Sequence, residues 1–258
     1  MVRGLYTAYT GMLNQQYRLD TLTNNLANAD TTGFKAENTT AKSFDDVMTY
    51  KIKDGSEYYI NRRVGKMALG VKIGENYTDY SQGSFKNTGN TYDLALDGKG
   101  FFAISFTSKA GKTYELYTRD GEFTTDGEGV LRTKDGDFVL DESGSNIVVP
   151  TDAQAVSIDQ TGRIFADGEQ VGQLKLVDFE DYNYLKKYGE NLLQAVDGAT
   201  QKDFNGTVNQ GYLETSNVNV VETMVDLITI TRAYESNQKI IQAIDDTLDK
   251  AVNNVGRV

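Results

Sequence analysis

Apolar residues recur every seven positions at both ends of this 258-residue chain. Near the N-terminus the series is Leu5, Met12, Leu19 and Leu26, with Ala8, Leu22 and Ala29 filling the other half of the repeat. Near the C-terminus it is Val220, Leu227, Tyr234, Ile241, Leu248 and Val255, flanked by a second stripe at Val221, Val225, Ile228, Ile240 and Ile244. A seven-residue apolar period predicts helices with coiled-coil seams. The first, from about Gly4 to Ala29, is then roughly 40 Å long, and the second, from about Asn217 to Val255, roughly 55–60 Å. Ser216 and Asn217 are candidate caps for the second helix, and Glu222 lies early in it, where the helix dipole favours a negative charge. Stripes of this kind have to be buried against each other or against another molecule. The simplest arrangement pairs the two ends as a helical hairpin.

The middle of the chain carries a different period. In short runs such as "YDLALDG", "FFAISF", "YELYTR" and "QLKLVDF", apolar and polar residues tend to alternate. Asp-Gly pairs at 97–98, 120–121, 126–127, 135–136, 167–168 and 197–198 supply the turn chemistry of hairpins, which predicts short antiparallel strands. Pro150, the single proline, follows "NIVV" and predicts a strand end or loop start. Between the first helix and this region, Ser43 and Asp46 have the spacing of a capping box before "FDDVMTYKI", predicting a short helix, and "KDGSEYYINRRVGK" predicts an extended arm. The expected architecture is therefore α+β. A discontinuous helical domain comprises residues 1–36 and 212–258, a connector spans 37–70, and an all-β domain of short antiparallel strands occupies 71–211.

Several kinds of chemistry are disfavoured by what is absent. There is no His, which removes imidazole bases and imidazole metal ligands, and no Cys, which removes thiolate sites and disulfides. A net charge of −11 opposes nucleic-acid and anionic-lipid binding. No run approaches the ~18 apolar residues of a membrane-spanning helix, and the first residues lack the apolar core and cleavage site of a Sec-type signal. "AGKT" at 110–113 resembles the end of a phosphate-binding loop, but position 106 is Phe106 where the pattern needs Gly, and "YELYT" after it reads as strand; a hairpin turn fits better. Ser236 and Lys239 have Ser-x-x-Lys spacing without the companion motifs of a hydrolase. The acidic turns from Asp120 onward fail the EF-hand count, with Thr125 at the Gly place and Leu131 at the Glu place. The 16 Tyr suit half-buried strand positions and form no cluster that marks a sugar site. The expectation is no enzyme, no cofactor, no metal and no small-molecule substrate.

The first helix holds a further anomaly. Residues 4–29 contain only two charged side chains, Arg18 and Asp20, where an exposed surface carries about a quarter to a third. The polar positions are amides and hydroxyls, among them Asn14, Gln15, Gln16, Thr21, Asn24, Asn25 and Asn28. Neutral groups can be enclosed by protein without the desolvation cost of a charge. The expectation is a helix surrounded by neighbours, as in a filament built by a repeated contact that does not close. The motif that ends this helix, "LTNNLANADTTGFK", places Asn24, Asn25, Asn28, Thr31, Gly33, Phe34 and Lys35 in one stretch. The C-terminal counterpart is "GYLETSNVNVVETMVDLITITRAYE", with Asn217, Asn219 and Arg232.

Both stretches, with "SQGSFKNTGNTYDLALDGKGFFAI" and "YTRDGEFTTDGEGVLRTKDG" between them, resemble the bacterial flagellar rod and hook protein family. The resemblance covers nearly the whole chain, weakening at 51–66 and 181–208. It implies a structural subunit of the basal-body rod, exported without a Sec signal by the flagellar type III export apparatus. The terminal helices then form an inner coiled-coil layer with the β domain outside, and the polymer passes torque from motor to hook. Its implied partners are further copies of itself and other rod and hook subunits. The chain length and the ending "DKAVNNVGRV" are nearer a rod subunit than the longer hook protein, first the subunit of the proximal–distal junction and next the main distal-rod subunit. The alternatives are a hook subunit, or an extracellular β-domain binding module or adhesin. The residues expected to carry assembly are the two seam series as far as Leu248 and, from the family motifs, Asn24, Asn25, Asn28, Thr31, Gly33, Phe34, Asn217, Asn219 and Arg232.

Overall fold

A computed structural model of the protein describes residues 2–50, 63–109 and 111–255. The chain forms two compact units, one made of Met1–Ala27, Glu37–Asp79 and Asn219–Val258, the other of Asn28–Ala36 and Tyr80–Val218. The architecture is α+β, with a helix near each end of the chain and antiparallel strands between them.

In the helical unit, α1 spans Val2–Ala27 and α2 spans Val220–Lys250. They lie side by side and antiparallel: the Cα of Gly4 faces Ile244 and that of Gly11 faces Asn237. The hydroxyls of Thr7, Thr10 and Thr21 donate to the carbonyls of Arg3, Tyr6 and Tyr17 one turn earlier. This back-bonding satisfies small polar side chains on a helix without any charge. The N-cap of α2 is Asn219, whose side-chain oxygen accepts from the Glu222 N–H at 3.3 Å, rather than Ser216 or Asn217. Beyond Lys250, α2 continues as a π-type turn over Ala251–Val255; the side chain of Val255 lies outside the described residues.

Two strand pairs complete this unit. Strand β1 (Glu37–Ser43) pairs antiparallel with β4 (Val71–Thr78), and β2 (Val47–Tyr50) with β3 (Arg63–Met67). The short helix expected after Ser43 is therefore absent. Ser43 is itself the last residue of β1, the Phe44 N–H donates to the Gly70 carbonyl, and the Val-Met-Thr-Tyr run of β2 favours strand over helix. The expected arm is described only at its β3 end, since residues 51–62 lie outside the described residues. The Thr21 hydroxyl meets that of Thr39 on β1 at 3.0 Å, and the Thr10 hydroxyl accepts from the Val71 N–H.

The β unit is built on a nine-stranded antiparallel sheet whose hub is the strand Phe101–Thr107. That strand bonds to Thr113–Thr118, Phe138–Val139 and Leu176–Phe179. It is buried on both faces, which is why "FFAI" is continuously apolar rather than alternating. Phe102 joins Leu94, Leu96, Phe123, Leu131 and Ile164 in one core cluster. Phe101 and Ala103 join Tyr117, Val177, Phe179 and Leu193 in a second. Smaller sheets are formed by Val156–Ile158 with Arg163–Ala166 and Glu169–Gln173, by Leu94–Asp97 with Thr207–Gln210, and by Phe85–Asn87 with Tyr212–Glu214.

Turn chemistry explains the connections. Gly111 and Lys112 of "AGKT" fall in the loop of the hairpin joining Phe101–Thr107 to Thr113–Thr118, closed by Ser108 N–H to the Lys112 carbonyl at 2.8 Å, and Thr113 opens the second strand; Ala110 lies outside the described residues. Among the Asp-Gly pairs, Asp167-Gly168 has both residues at positive φ (51° and 92°), the requirement of a type I′ hairpin turn.

Candidate assembly site

In the helical unit, the seam residues Leu5, Met12, Leu19 and Leu26 of α1 and Leu227, Tyr234 and Ile241 of α2 are half-buried. Ala8, Thr223 and Ile230, at intervening positions, are buried. Val220 and Leu248, at the two ends of the C-terminal series, are exposed. The packed face of α2 thus runs through Thr223, Leu227, Ile230, Tyr234, Asn237, Ile241 and Ile244, the spacing of three and four that a helix needs to follow a partner. Asn14 of α1 is buried, and its side-chain oxygen has no hydrogen-bond partner.

A second face remains open on each helix. On α1 it carries Tyr6, Tyr9, Leu13 and Tyr17, with Tyr6 61% exposed. On α2 it carries Val221, Met224, Val225 and Ile228, with Val221 73% exposed, and farther along Ile240 and Val252. The second apolar stripe read from the sequence therefore lies in solvent, except at Ile244. Contiguous exposed apolar rows of this kind mark interaction surfaces.

The three neighbouring Asn differ in environment. Asn25 is buried and makes a two-point amide contact with Glu37, donating from Nδ2 to its carbonyl at 2.7 Å and accepting its N–H at 3.0 Å. This ties the residue where β1 begins to the last turn of α1. Asn28 is buried in the β unit, where it accepts from the Thr31 hydroxyl at 3.2 Å. Asn24 is exposed, as are Arg232 and the cap Asn219.

The rest of the N-terminal motif is built into the β unit. Gly33 takes φ +67°, and a Cβ there would lie 2.3 Å from the backbone nitrogen of Asp120. Only glycine permits both that conformation and that approach. Its N–H donates to the Glu214 carbonyl at 2.9 Å. Phe34 is completely buried, with the Lys187 ammonium 4.1 Å from its ring centroid. The Thr32 hydroxyl donates to Asp120 Oδ1 at 2.7 Å, and Asn191 Nδ2 donates to the other oxygen at 3.0 Å. Burial raises the carboxyl of Asp120 above its ordinary range, and the bond from Thr32 works against that rise. Asn217, expected as a helix cap, instead accepts the Ala36 N–H at 2.8 Å and donates to Ser81.

At the centre lies a buried ion cluster that the sequence reading did not single out. The Glu214 side chain is fully enclosed. Its Oε1 receives Lys35 Nζ at 2.6 Å and the Gly83 N–H at 2.9 Å; its Oε2 receives Arg119 Nη1 at 3.1 Å. The Arg119 guanidinium also donates to the carbonyls of Leu96 and Gly98 and lies 5.5 Å from the Phe101 ring centroid. The available signal was a lysine placed directly after an aromatic residue in a stretch otherwise poor in charge.

Three family profiles match the chain: "Flagella basal body rod protein" at residues 5–35, "Flagellar hook protein FlgE/F/G D1 domain" at 95–166, and "Flagellar basal body rod FlgEFG protein C-terminal" at 209–254. The flagellar basal-body rod protein FlgG of Bacillus subtilis is 35% identical, over 98% of this chain and 99% of its own length. FlgF of Caulobacter vibrioides is 34% identical over the whole of both chains. FlgG of Agrobacterium fabrum is 36% identical over 95% of this chain and 96% of its own.

Proposed function

The chain belongs to the flagellar basal-body rod protein family, and on that premise we propose that it polymerises through the apolar faces left open on α1 and α2. It is a structural subunit of the basal-body rod, located in the bacterial flagellar basal body. The carrying observation is the pair of exposed rows, Tyr6, Tyr9, Leu13 and Tyr17 on one helix and Val221, Met224, Val225 and Ile228 on the other. The faces are apolar, contiguous and bare in the single chain, and burying each apolar side chain gains about 1.5–3 kcal/mol. A heterologous contact between such faces, repeated without closure, makes a helical tube.

In this reading α1 and α2 pair as a coiled-coil hairpin along the seam from Leu5 to Leu26 and from Leu227 to Ile241. The few charges on α1 follow from its being enclosed by neighbouring subunits. The partners are further copies of the chain and other rod or hook subunits, delivered by the flagellar export apparatus. The role is mechanical, passing torque from motor to hook, and needs no catalytic residue or cofactor. No described helix is long and apolar enough to cross a membrane. Matches that span nearly the full length of rod relatives favour a rod over a hook subunit.

Ile228→Asp tests this. It places a charge on the open face of α2, at a side chain that is 54% exposed. The expected result is a folded monomer that no longer incorporates into basal bodies and does not restore swimming to a strain lacking the native gene. Incorporation at the normal level would overturn the assignment of this face.

A further inference from the structure

Three segments far apart in sequence meet at Glu214. Residues 28–36 follow α1, residues 80–84 follow β4, and residues 211–218 lead to α2. These are the stretches in which the chain enters and leaves the β unit. Glu214 belongs to the third, and its carboxylate holds Lys35 of the first, Gly83 of the second, and Arg119 of the sheet. Around it the same segments are tied again. Lys35 Nζ donates to the Ser81 carbonyl at 2.8 Å, Asn217 joins Ala36 to Ser81, and the Thr215 N–H donates to the Ser84 carbonyl at 2.8 Å.

We infer that Glu214 is a latch that makes the strap after α1 and the exit before α2 dock on the β unit as one cooperative element. The physical reason is the cost of a buried charge that lacks its counter-charge. With the strap withdrawn, Glu214 loses a cation from a site with no exposure to water. With the exit withdrawn, Lys35 and Arg119, each 6% exposed in the docked structure, lose their shared carboxylate. Each half-docked state is penalised, so the two segments bind together or leave together. Phe34 adds to this, because its ring enters the β unit on the residue before Lys35.

An ordinary buried ion pair would matter only to its immediate neighbours. The latch differs because its members lie on separate entry and exit segments, so a disturbance at residue 35 has to reach residues 213–217. When a partner engages the helix at one end of the chain, the segment that leads to the other helix responds. This inference does not depend on the proposed polymer contacts, since it concerns one chain in solution.

Hydrogen exchange of the full-length protein, read by mass spectrometry, tests it with K35M, E214Q, the double variant and K35R. K35M is expected to speed exchange about tenfold or more at residues 83–84 and 213–217, far from residue 35 in sequence. E214Q is expected to do the same at 33–36. The double variant should exchange much more slowly than the product of the two single effects, and K35R should recover much of the protection. The latch is overturned if each variant changes only its own segment, or if the two effects multiply in the double variant. Should E214Q fail to fold, K35M decides alone: unchanged protection at 213–217 refutes the coupling.

Discussion

The two units handle polar and apolar groups in opposite ways. The helical unit leaves rows of Tyr, Val and Ile in water and fills the intervening positions of α1 with amides and hydroxyls. The β unit has two apolar clusters and encloses a carboxylate, an ammonium and a guanidinium. A unit that buries charge has to satisfy it within itself, because an unmet buried ion costs several kcal/mol. A unit that exposes apolar rows has left part of its burial to be done by something else. The contrast teaches where self-sufficiency lies along this chain: in Asn28–Ala36 and Tyr80–Val218, with Glu37–Asp79 between them belonging to the helical unit.

The comparison breaks most sharply at Phe34, whose position three residues from Thr31 looks like the end of the helical segment but whose ring is core. Phe34→Ala should cost the β unit about 3–5 kcal/mol in urea unfolding, as for other large aromatic deletions. A loss confined to the helices would reverse the assignment of residues 28–36. Gly33→Ala should cost about 1–3 kcal/mol for the positive φ, plus displacement of the Asp120 backbone, so the backbone amide signals of Asp120 and Arg119 should shift in NMR spectra. Leu19→Asp acts on the other unit. It should loosen α1 and prevent polymerisation while the β-unit midpoint stays within about 0.5 kcal/mol of wild type. Limited proteolysis of that variant should trim both helices and leave fragments covering 80–218, with 28–36 retained.

The smallest effect concerns pH. Burial lifts the Asp120 carboxyl above its unfolded value, so on acidification the native state takes up that proton before the unfolded chain does. The contribution of Asp120 to stability should therefore grow as pH falls from neutral through its raised pKa, and stop changing once the unfolded chain is protonated as well. Unfolding free energies of wild type and Asp120→Asn, compared at neutral pH and in the ordinary carboxylate range, measure it. A wild-type advantage that shrinks on acidification would mean that the hydrogen bonds Asp120 accepts from the Thr32 hydroxyl, the Glu122 backbone N–H and the Asn191 amide outweigh burial.

What was legible in the sequence follows from periodicity. The seven-residue spacing predicted a helix near each end, and alternation with Asp-Gly pairs predicted antiparallel strands between them, because both signals are local. Two features escaped for the same reason. "FDDVMTYKI" carries a helix-cap spacing, yet β2 has its partner at β3, across residues that no local pattern connects to it. Lys35, Arg119 and Glu214 each look like an ordinary surface charge, and only the three-dimensional meeting of three distant segments turns them into a buried cluster. Of the motif residues, Gly33 and Phe34 follow the end of α1 in sequence, and the chain there enters the β unit, where Phe34 is core.

The span of the Glu214 contact has a consequence in time. Lys35 and Glu214 are 179 positions apart, and Gly83 and Glu214 are 131 apart. Closing long loops adds little to the equilibrium cost, which rises only with the logarithm of length. It matters far more for speed, since chains dominated by distant pairings fold orders of magnitude more slowly than those with near ones. During synthesis, the strap and most of the sheet exist for many seconds before residue 214 has been added, at about 5–20 residues per second. The contacts at Glu214 can therefore form only once the last fifth or so of the chain is being made.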